Sequence, residues 1–496
     1  MPKPDCGRRQ AREEIAIHPA LRQRDANDIR VGSAMASVGV GQAAAPARPV
    51  ELRGWRLAAF SSPAIPLAAL LLPVTVYLPD YSATHLGLDL GVLAFVFMAV
   101  RLFDLWFDPA LGFAMDKTST RFGRFRPWFV AGAPIAMIAA WMLFMAERGV
   151  SGGYLLFWLI AAFVGQSMAQ LGHMAWAATA APSYDQRSKV YGWGMGFTVI
   201  GLLSVLALPP ILRLGLDFSH AASVQAMGWF VIALIPPTIL LALAATPEPA
   251  ARPHAQPPRL RHYWDLLRRG SVLRVLLADI AWGTGPAVAG SLFFFYFDAL
   301  RGYDRGPAGL LLLVYFVGAL AGAPIWTRLA RRISKHRALM VAGLLYAAAQ
   351  AGILFIPSGL AVGIVTMFVA GLPFTAGPAL LRAMMADLGD EERLASGVDR
   401  TGLLFSLLTG SVKIGSAAAV GIGLSSLNAA GFDPQLAERN SDTALTTLKL
   451  MFAVVPAVLG LLTAWIISGH KLDAPAHADI RRRLAERDGL LHTPFE

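Results

Sequence analysis

The chain has 496 residues, of which 55% are hydrophobic and 15% are charged, and its mean hydropathy is +0.53. Soluble globular proteins carry roughly 25% charged residues, so this composition excludes a soluble globular protein and places most of the chain in a lipid bilayer. The net charge of +11 does not indicate nucleic-acid binding, because the basic residues lie in the terminal regions and in alternate loops between apolar runs. The single cysteine, Cys6, excludes an intrachain disulfide.

The N-terminal region, residues 1–54, is polar and lacks the apolar segment of a secretory signal, so we predict a disordered cytoplasmic tail. The remaining chain contains apolar runs of the length, about 20 residues, that a helix needs to cross a membrane. They predict an all-α polytopic protein with about twelve transmembrane helices, near residues 57–79, 88–113, 127–146, 153–181, 190–212, 226–246, 271–297, 307–331, 337–357, 359–387, 396–427 and 446–468.

A proline-rich and basic segment, residues 247–270, divides the predicted helices six and six. We interpret it as a cytoplasmic linker that ends in a short surface helix. The predicted organisation is therefore an N-terminal half at 55–246, a C-terminal half at 271–468 and a cytoplasmic tail at 469–496.

Basic residues are concentrated in alternate loops. The positive-inside rule then places both termini and the linker in the cytoplasm of an inner (plasma) membrane. The residues that carry this signal, apart from the linker arginines, are Lys117, Arg121, Arg124, Arg126, Arg187, Lys189, Arg328, Arg331, Arg332, Lys335 and Arg337.

A short internal similarity relates the two halves. RFRPWFVAGA follows the second predicted helix, and KHRALMVAGL follows the second helix of the second half. Two six-helix halves related by a parallel repeat are the architecture of the major facilitator superfamily, which is the predicted fold.

Three charged residues lie within the second predicted helix. Arg101, Asp104 and Asp108 are spaced i, i+3, i+7 and therefore share one helical stripe. Charges inside the membrane are costly and mark functional candidates, and two carboxylates one turn apart need a cation, a proton or a basic partner. Arg101 can neutralise one carboxylate, and the other is then a site for an exchangeable ion. The alternative is a buried ion pair that only fixes helix packing.

A basic residue, Lys413, lies deep in the eleventh predicted helix, too far from either end to reach the membrane surface. Ser406, Thr409, Lys413 and Ser416 form one polar stripe. We expect Lys413 to pair with Asp104 or Asp108 across the two halves. A lysine that lies in a water-filled cavity without a coupling role is the alternative.

The fourth predicted helix presents a neutral polar face of Gln166, Gln170 and His173, which can bind a solute or form interhelical hydrogen bonds. In the seventh helix, Asp279 is another intramembrane acid, and because it lies near the cytoplasmic end, a pairing with Arg274 is the alternative to a functional role.

The loop after the second helix reads GFAMDKTSTRFGRFRP. We interpret it as a cytoplasmic gating loop whose basic residues cap helix C-termini and pair with its acid. An ordinary positive-inside loop is the alternative. The candidate residues in it are Gly112, Asp116, Gly123, Arg124 and Arg126.

The segment RLFDLWFDPALGFAMDKTSTRFGRFRPW closely resembles the signature of the glycoside–pentoside–hexuronide:cation symporter family, the melibiose-permease-like branch of the major facilitator superfamily. ADLGDEERLASGVDRTG, followed by Lys413 eleven residues after Gly402, agrees with it. The resemblance covers residues 55–468. It implies cation:solute symport in which Asp104 and Asp108 form the coupling-cation site and Lys413 lies beside it.

The sequence departs from the sodium-coupled sugar carriers of this family at several positions. Phe107 stands where they have an asparagine, and Ala169 aligns with a threonine, so two neutral oxygen ligands are missing and a proton is favoured over sodium. Three charged sugar-contacting positions align with Pro63, Gly172 and the vicinity of Gly194.

The aromatic sugar contact of the fourth helix is kept as Trp176, so we group it with Gln166, Gln170, His173 and Thr409 as the predicted solute site. The predicted function is secondary active symport of a small organic solute, by family default a sugar or glycoside, by a monomer. No cofactor is predicted beyond the coupling cation, H⁺ or Na⁺.

The first alternative function is a carrier or flippase of a lipid or amphiphile with the same fold and no tight ion coupling. The second alternative, a membrane enzyme, is disfavoured because the sequence shows no metal-ligand cluster, phosphate-binding loop or nucleophile elbow.

Overall fold

A computed structural model describes residues 54–180, 184–246, 260–355, 359–470 and 472–490. Within these ranges the chain is helical, without strands beyond one isolated bridge between Thr120 and Gly123. The predicted disordered tail falls almost entirely outside the described residues, as does the first part of the predicted linker.

The described residues contain twelve helices that are long and apolar enough to cross a membrane, as predicted. They are α1 (Trp55–Thr84), α2 (Leu90–Lys117), α3 (Arg126–Phe144), α4 (Gly152–Ala177), α5 (Lys189–Gly215), α6 (His220–Ala245), α7 (Gly270–Arg301), α8 (Arg305–Ile333), α9 (Lys335–Phe355), α10 (Leu360–Ser396), α11 (Thr401–Ala429) and α12 (Asp442–Ser468). The chain is therefore a multi-pass membrane protein with the predicted all-α fold.

Two shorter helices flank the C-terminal half. The linker helix, Leu260–Leu267, is the short helix expected at the end of the linker. The C-terminal helix, Ala474–Leu490, occupies most of the predicted tail, to which the sequence analysis assigned no helix. A turn over residues 372–375 interrupts α10, because Pro373 lacks the backbone donor that a continuous helix needs.

Local sequence signals fix the ends of α2, the helix that carries the acidic stripe. Its N-cap is Asp89, whose Oδ1 accepts hydrogen bonds from the backbone nitrogens of Gly91 (2.7 Å) and Val92 (3.3 Å). A carboxylate at this position also suits the positive end of the helix dipole. At the other end, Arg124 Nε donates to the carbonyl of Met115 at 3.0 Å and satisfies one of the terminal carbonyls. Side-chain hydrogen bonds therefore stabilise both ends of α2.

Glycines allow α3 and α4 to approach closely. A Cβ atom added at Gly165 would lie 2.5 Å from the backbone nitrogen of Ala136, and one added at Gly132 would lie 2.6 Å from the carbonyl oxygen of Gly165. Small residues at such crossings allow the backbone-to-backbone packing that stabilises helices in a membrane. Helices α3 and α4 are therefore tightly packed, and α4 also contacts α2.

We expect Gly165→Ala to destabilise the protein by about 1–3 kcal/mol, because the added methyl group forces two backbones apart. Thermal unfolding of the purified protein in detergent measures the effect. Gly192→Ala is the matched control, since nothing lies within 4 Å of a Cβ atom added there. Equal thermal stability of the two variants would contradict this account of the α3–α4 contact.

The two halves meet through three pairs of helices, α2 with α11, α5 with α8, and α1 with α7. We call the end of the bundle that carries the linker helix the linker end, and the other end the opposite end. At the opposite end, ion pairs join the halves, Arg305 with Asp80 and Arg213 with Asp304. At the linker end, none of the described ion pairs connects one half to the other. Examples are Arg124–Asp116, Arg269–Glu392, Arg400–Glu392, Lys335–Asp387 and Arg393–Asp488. The halves are therefore held together at the opposite end.

Candidate functional site

An ion triad of Asp104, Asp108 and Lys413 lies where α2 meets α11. Lys413 Nζ lies 2.7 Å from Asp104 Oδ2 and 2.6 Å from Asp108 Oδ2. The same Nζ donates to the backbone carbonyl of Asp104 at 3.2 Å. The expected pairing across the halves is confirmed, and the lysine contacts both carboxylates rather than one.

The ion triad has two carboxylates and one ammonium group, so its formal charge is −1 when all three groups are ionised. It lies largely out of water, with side-chain exposures of 6% for Asp104, 20% for Asp108 and 18% for Lys413. Asp108 Oδ1 is buried and has no hydrogen-bond partner among the described residues. A buried carboxylate oxygen without a donor is unfavourable, so the triad can gain a proton or a small cation at this atom.

Ser167 of α4 completes the surroundings of Asp104. Its hydroxyl donates to Asp104 Oδ1 at 3.4 Å, and it was not among the residues predicted from the sequence. The sequence contained a signal for Ser167. It is four residues after Phe163 and three before Gln170, so helical periodicity places it on the same face of α4 as these two residues.

The structure does not show the expected neutralisation of a carboxylate by Arg101 as a direct ion pair. Among the described ion pairs none includes Arg101, and its guanidinium lies over the ring of Phe163, 4.8 Å from the centroid. The physical reason is that Lys413 reaches both carboxylates from the other half, while Arg101 finds a cation–π partner on α4. A coupling role for Arg101 remains a prediction without a direct contact behind it.

Two further polar residues of α11, Thr409 and Ser411, are close to Lys413 in the sequence. Thr409 lies one turn before Lys413 and is exposed, with its hydroxyl donating to the carbonyl of Phe405 at 2.9 Å. Ser411 donates to Asp279 Oδ2 of α7 at 2.6 Å. The alternative interpretation of Asp279, a pairing with Arg274, does not match the structure, because Arg274 donates to the carbonyl of Gly469 instead.

The predicted solute residues of α4 lie mostly in packed contacts. Gln166 is buried and donates to the carbonyl of Leu67 at 2.9 Å, an interhelical hydrogen bond of the kind that was the alternative interpretation. His173 Nε2 lies 2.7 Å from the carbonyl oxygen of Phe60. Of the three, only Gln170 is exposed in the described conformation.

Trp176 is fully buried rather than open to a cavity. Its ring packs edge-on against Phe60, and the guanidinium of Arg126 lies 5.2 Å from its centroid. Aromatic packing and a cation–π contact account for its position. Its predicted contact with solute would need a rearrangement of this cluster.

The loop between α2 and α3 is a compact structural unit. Arg124 pairs with Asp116 and bonds the end of α2, which matches the expected capping and pairing. Arg126 donates to the carbonyl of Leu243 on α6 at 2.8 Å. Gly123 has φ of 108°, which a side chain would strain, and nothing lies within 4 Å of a Cβ atom added at Gly112. A gating role for the loop remains a prediction.

Sequence reasoning also missed a charged cluster at the opposite end, formed by Asp80, His220, Asp298 and Arg305. A signal was present, because Asp80 is an acid that directly follows the first predicted helix and lies within the longer α1 of the structure.

Comparison with known proteins finds a matching family and several relatives. A family model described as MFS/sugar transport protein matches residues 59–474. The chain is 27% identical over 443 residues to the putative glycoside/cation symporter YagG of Escherichia coli (strain K12), with 84% of this chain and 93% of that protein covered.

Two other relatives are named for different solutes. The lactose permease of Lactobacillus delbrueckii subsp. bulgaricus is 24% identical, with 79% of this chain covered, and the chain spans 66% of that protein. The sodium-dependent lysophosphatidylcholine symporter 1-B of Danio rerio is 20% identical, with 83% of this chain and 85% of that protein covered.

A solved structure shares the fold. The nucleoside transporter NupG has a TM-score of 0.63 at 12% identity, with 84% of this chain and 99% of that chain covered. With the family match, this shows a transporter of the major facilitator superfamily. The chain therefore belongs to the MFS/sugar transport protein family, in the melibiose-permease-like glycoside–pentoside–hexuronide:cation symporter branch that its second-helix motif indicates.

Proposed function

We propose that this protein is a proton-coupled symporter of a small organic solute. The observation that carries the proposal is the ion triad, in which one lysine from the C-terminal half bridges two carboxylates from the N-terminal half. A single proton makes the triad neutral. A neutral site crosses the low-dielectric barrier at lower cost than a charged one, so protonation is the step that permits the loaded halves to reorient.

The solute is proposed to bind between the halves, near the exposed polar groups of Gln170 and Thr409. In this scheme the proton neutralises the excess charge at Asp108 and the two halves then rock around the midplane site. The linker end is proposed to face the cytoplasm of the inner membrane, since the basic loops lie there. The described conformation, joined at the opposite end, would then be closed towards the outside.

The surroundings of the ion triad support a proton over sodium. At the two positions that supply oxygen ligands in the sodium-coupled relatives, Ala169 has no side-chain oxygen and Phe107 stacks on Phe103 with a centroid separation of 5.3 Å. Among the described neutral side chains, only the Ser167 hydroxyl bonds a carboxylate of the triad. Sodium needs several oxygen ligands, whereas a proton needs one carboxylate. Lys413 also occupies the space between the two acids that a metal cation would need.

We expect uptake into proteoliposomes to follow pH and not sodium. The solute for this assay is the one that most raises the thermal stability of the purified protein among glycosides and lysolipids. At fixed pH, replacing choline with sodium at millimolar concentration should leave the rate unchanged, while an inward proton gradient should raise it. Strong stimulation by sodium alone would show that the coupling ion is sodium.

The same screen separates the two proposed solute classes. The glycoside-carrying relatives favour a glycoside. The lysolipid symporter among the relatives, and the absence of charged groups at Gly172 and Gly194, favour an amphiphile. Transport of a lysolipid that needs no ion gradient would replace the symport proposal with a flippase.

A further inference from the structure

A buried charged cluster lies at the opposite end, away from the ion triad. It joins Asp80 of α1 and His220 of α6, both in the N-terminal half, to Asp298 of α7 and Arg305 of α8 in the C-terminal half. Arg305 Nη2 lies 3.2 Å from Asp80 Oδ1, and its Nη1 lies 2.8 Å from Asp298 Oδ2. One guanidinium therefore serves two carboxylates, and it does so across the interface between the halves.

The charges of this outer cluster do not balance. Asp80 and Asp298 contribute two negative charges and Arg305 contributes one positive charge. Asp80 is almost completely buried, with a side-chain exposure of 2%. A buried net charge of this kind is unfavourable unless a proton or a counter-charge joins it.

The geometry offers one place for that proton. Asp80 Oδ2 lies 3.6 Å from His220 Nε2, and neither atom has a hydrogen-bond partner among the described residues. A small approach of the two side chains would let a proton lie between them in a hydrogen bond. The acceptor, the imidazole and the enclosed position are the components of a proton-binding site.

The other charged groups nearby have partners of their own. Arg213 pairs with Asp304, whose side chain is 61% exposed, so this outer pair is neutral by itself. On α7, Arg301 donates to the hydroxyl of Tyr296 and to a backbone carbonyl of α9. Burial, and then the nearby Arg148 guanidinium, lower the pKa of His85, so this histidine is uncharged at neutral pH.

We propose that the outer cluster is a second proton-binding site, which takes up one proton when the halves close at the opposite end. When the halves separate there, Asp80 loses Arg305 and gains water, so both carboxylates are hydrated and ionised without the proton. Closure buries the excess negative charge and draws a proton to the Asp80–His220 pair. Acidification on that side therefore favours closure. This site acts on the gate and carries no proton across the membrane.

The test measures the separation of the halves and needs no solute. Cys6, the only cysteine, is replaced by serine, and spin labels are attached at Ser151→Cys and Thr443→Cys, two exposed positions at the opposite end in different halves. Distances are then recorded in lipid nanodiscs between about pH 5.5 and 8.5. Linkage of one proton to closure changes the closed-to-open ratio by up to about tenfold per pH unit, with the closed form increasing as pH falls.

Two variants should remove this pH dependence and leave the closed form populated throughout. Asp80→Asn and Asp298→Asn each delete one negative charge, so that Arg305 balances the carboxylate that remains. Asp298 is the less buried of the two, so its variant carries the test if Asp80→Asn does not fold. Glu438→Gln is the control, because it neutralises an exposed carboxylate at the same end that takes part in no described ion pair, and it should keep the pH slope.

The same measurement in an Asp108→Asn background separates this proposal from the coupling mechanism. A pH slope that persists there belongs to the outer cluster. A slope that disappears there belongs to the ion triad and overturns the second site while leaving symport intact. A pH-independent ratio in the otherwise unchanged protein, or a full slope in both Asp80→Asn and Asp298→Asn, also overturns it.

Discussion

Asp108→Asn is expected to abolish accumulation of solute against its gradient while leaving the amount of folded protein unchanged. Asparagine has nearly the volume of aspartate, so the contact of α2 with α11 is kept. The triad is then neutral without a proton, because Lys413 balances Asp104 alone. A site that no longer needs the proton cannot use the proton gradient, so internal and external solute concentrations should become equal.

The assay for this variant is uptake into proteoliposomes under an imposed proton gradient, with counterflow of labelled solute as a second readout. Counterflow should survive, since it needs reorientation of the loaded carrier and no net proton movement. Asp442→Asn, the same change at an exposed carboxylate in the first turn of α12, is the control. Accumulation against a gradient by Asp108→Asn at the normal level would remove this residue from the coupling role.

Lys413→Ala should have the largest effect on both coupling and stability. Removing one partner of a buried ion pair costs about 3–5 kcal/mol when the remaining charge stays ionised. Here two carboxylates, with side-chain exposures of 6% and 20%, would lose their shared cation. Protonation of the carboxylates relieves part of this cost, and two protons rather than one are then needed for a neutral site.

The measurable consequence is a displaced pH profile. Uptake by Lys413→Ala should weaken, and what remains should extend to higher pH, since the carboxylates hold protons more readily without the ammonium group. Lys413→Arg keeps the charge and should retain part of the coupling, and Lys449→Ala changes an exposed lysine as a control. An unchanged uptake rate and pH profile in Lys413→Ala would make Lys413 a bystander.

Helix spans and the acidic stripe were accessible from sequence because they depend on length and periodicity. Twenty apolar residues define a membrane helix, and the i, i+4 spacing of Asp104 and Asp108 defines a shared face without any knowledge of neighbours. The pairing of Lys413 with that face followed from charge balance, since a buried ammonium needs a carboxylate. The structure confirms the helix spans, the shared face of the two acids and their pairing with Lys413.

The parts that sequence did not predict correctly depend on which helices are neighbours. Arg101 shares the stripe of the two acids, yet its partner is a phenylalanine of α4. Trp176 lies on the same helix as the exposed Gln170 and is nevertheless sealed inside an aromatic cluster. The outer cluster forms only where α1, α6, α7 and α8 meet. The sequence pattern of a single helix does not predict which helices are its neighbours.

The C-terminal helix has a practical consequence for handling the protein. It is attached to α10 by His477 with Asp390, at 2.9 Å, and by Arg393 with Asp488, at 2.8 Å. Leu484 is buried in the same contact. A purification tag or fluorescent reporter should therefore follow residue 490 through a flexible spacer. Joining it directly after Ser468 would remove the helix and expose the ionic surface of α10 that the helix covers.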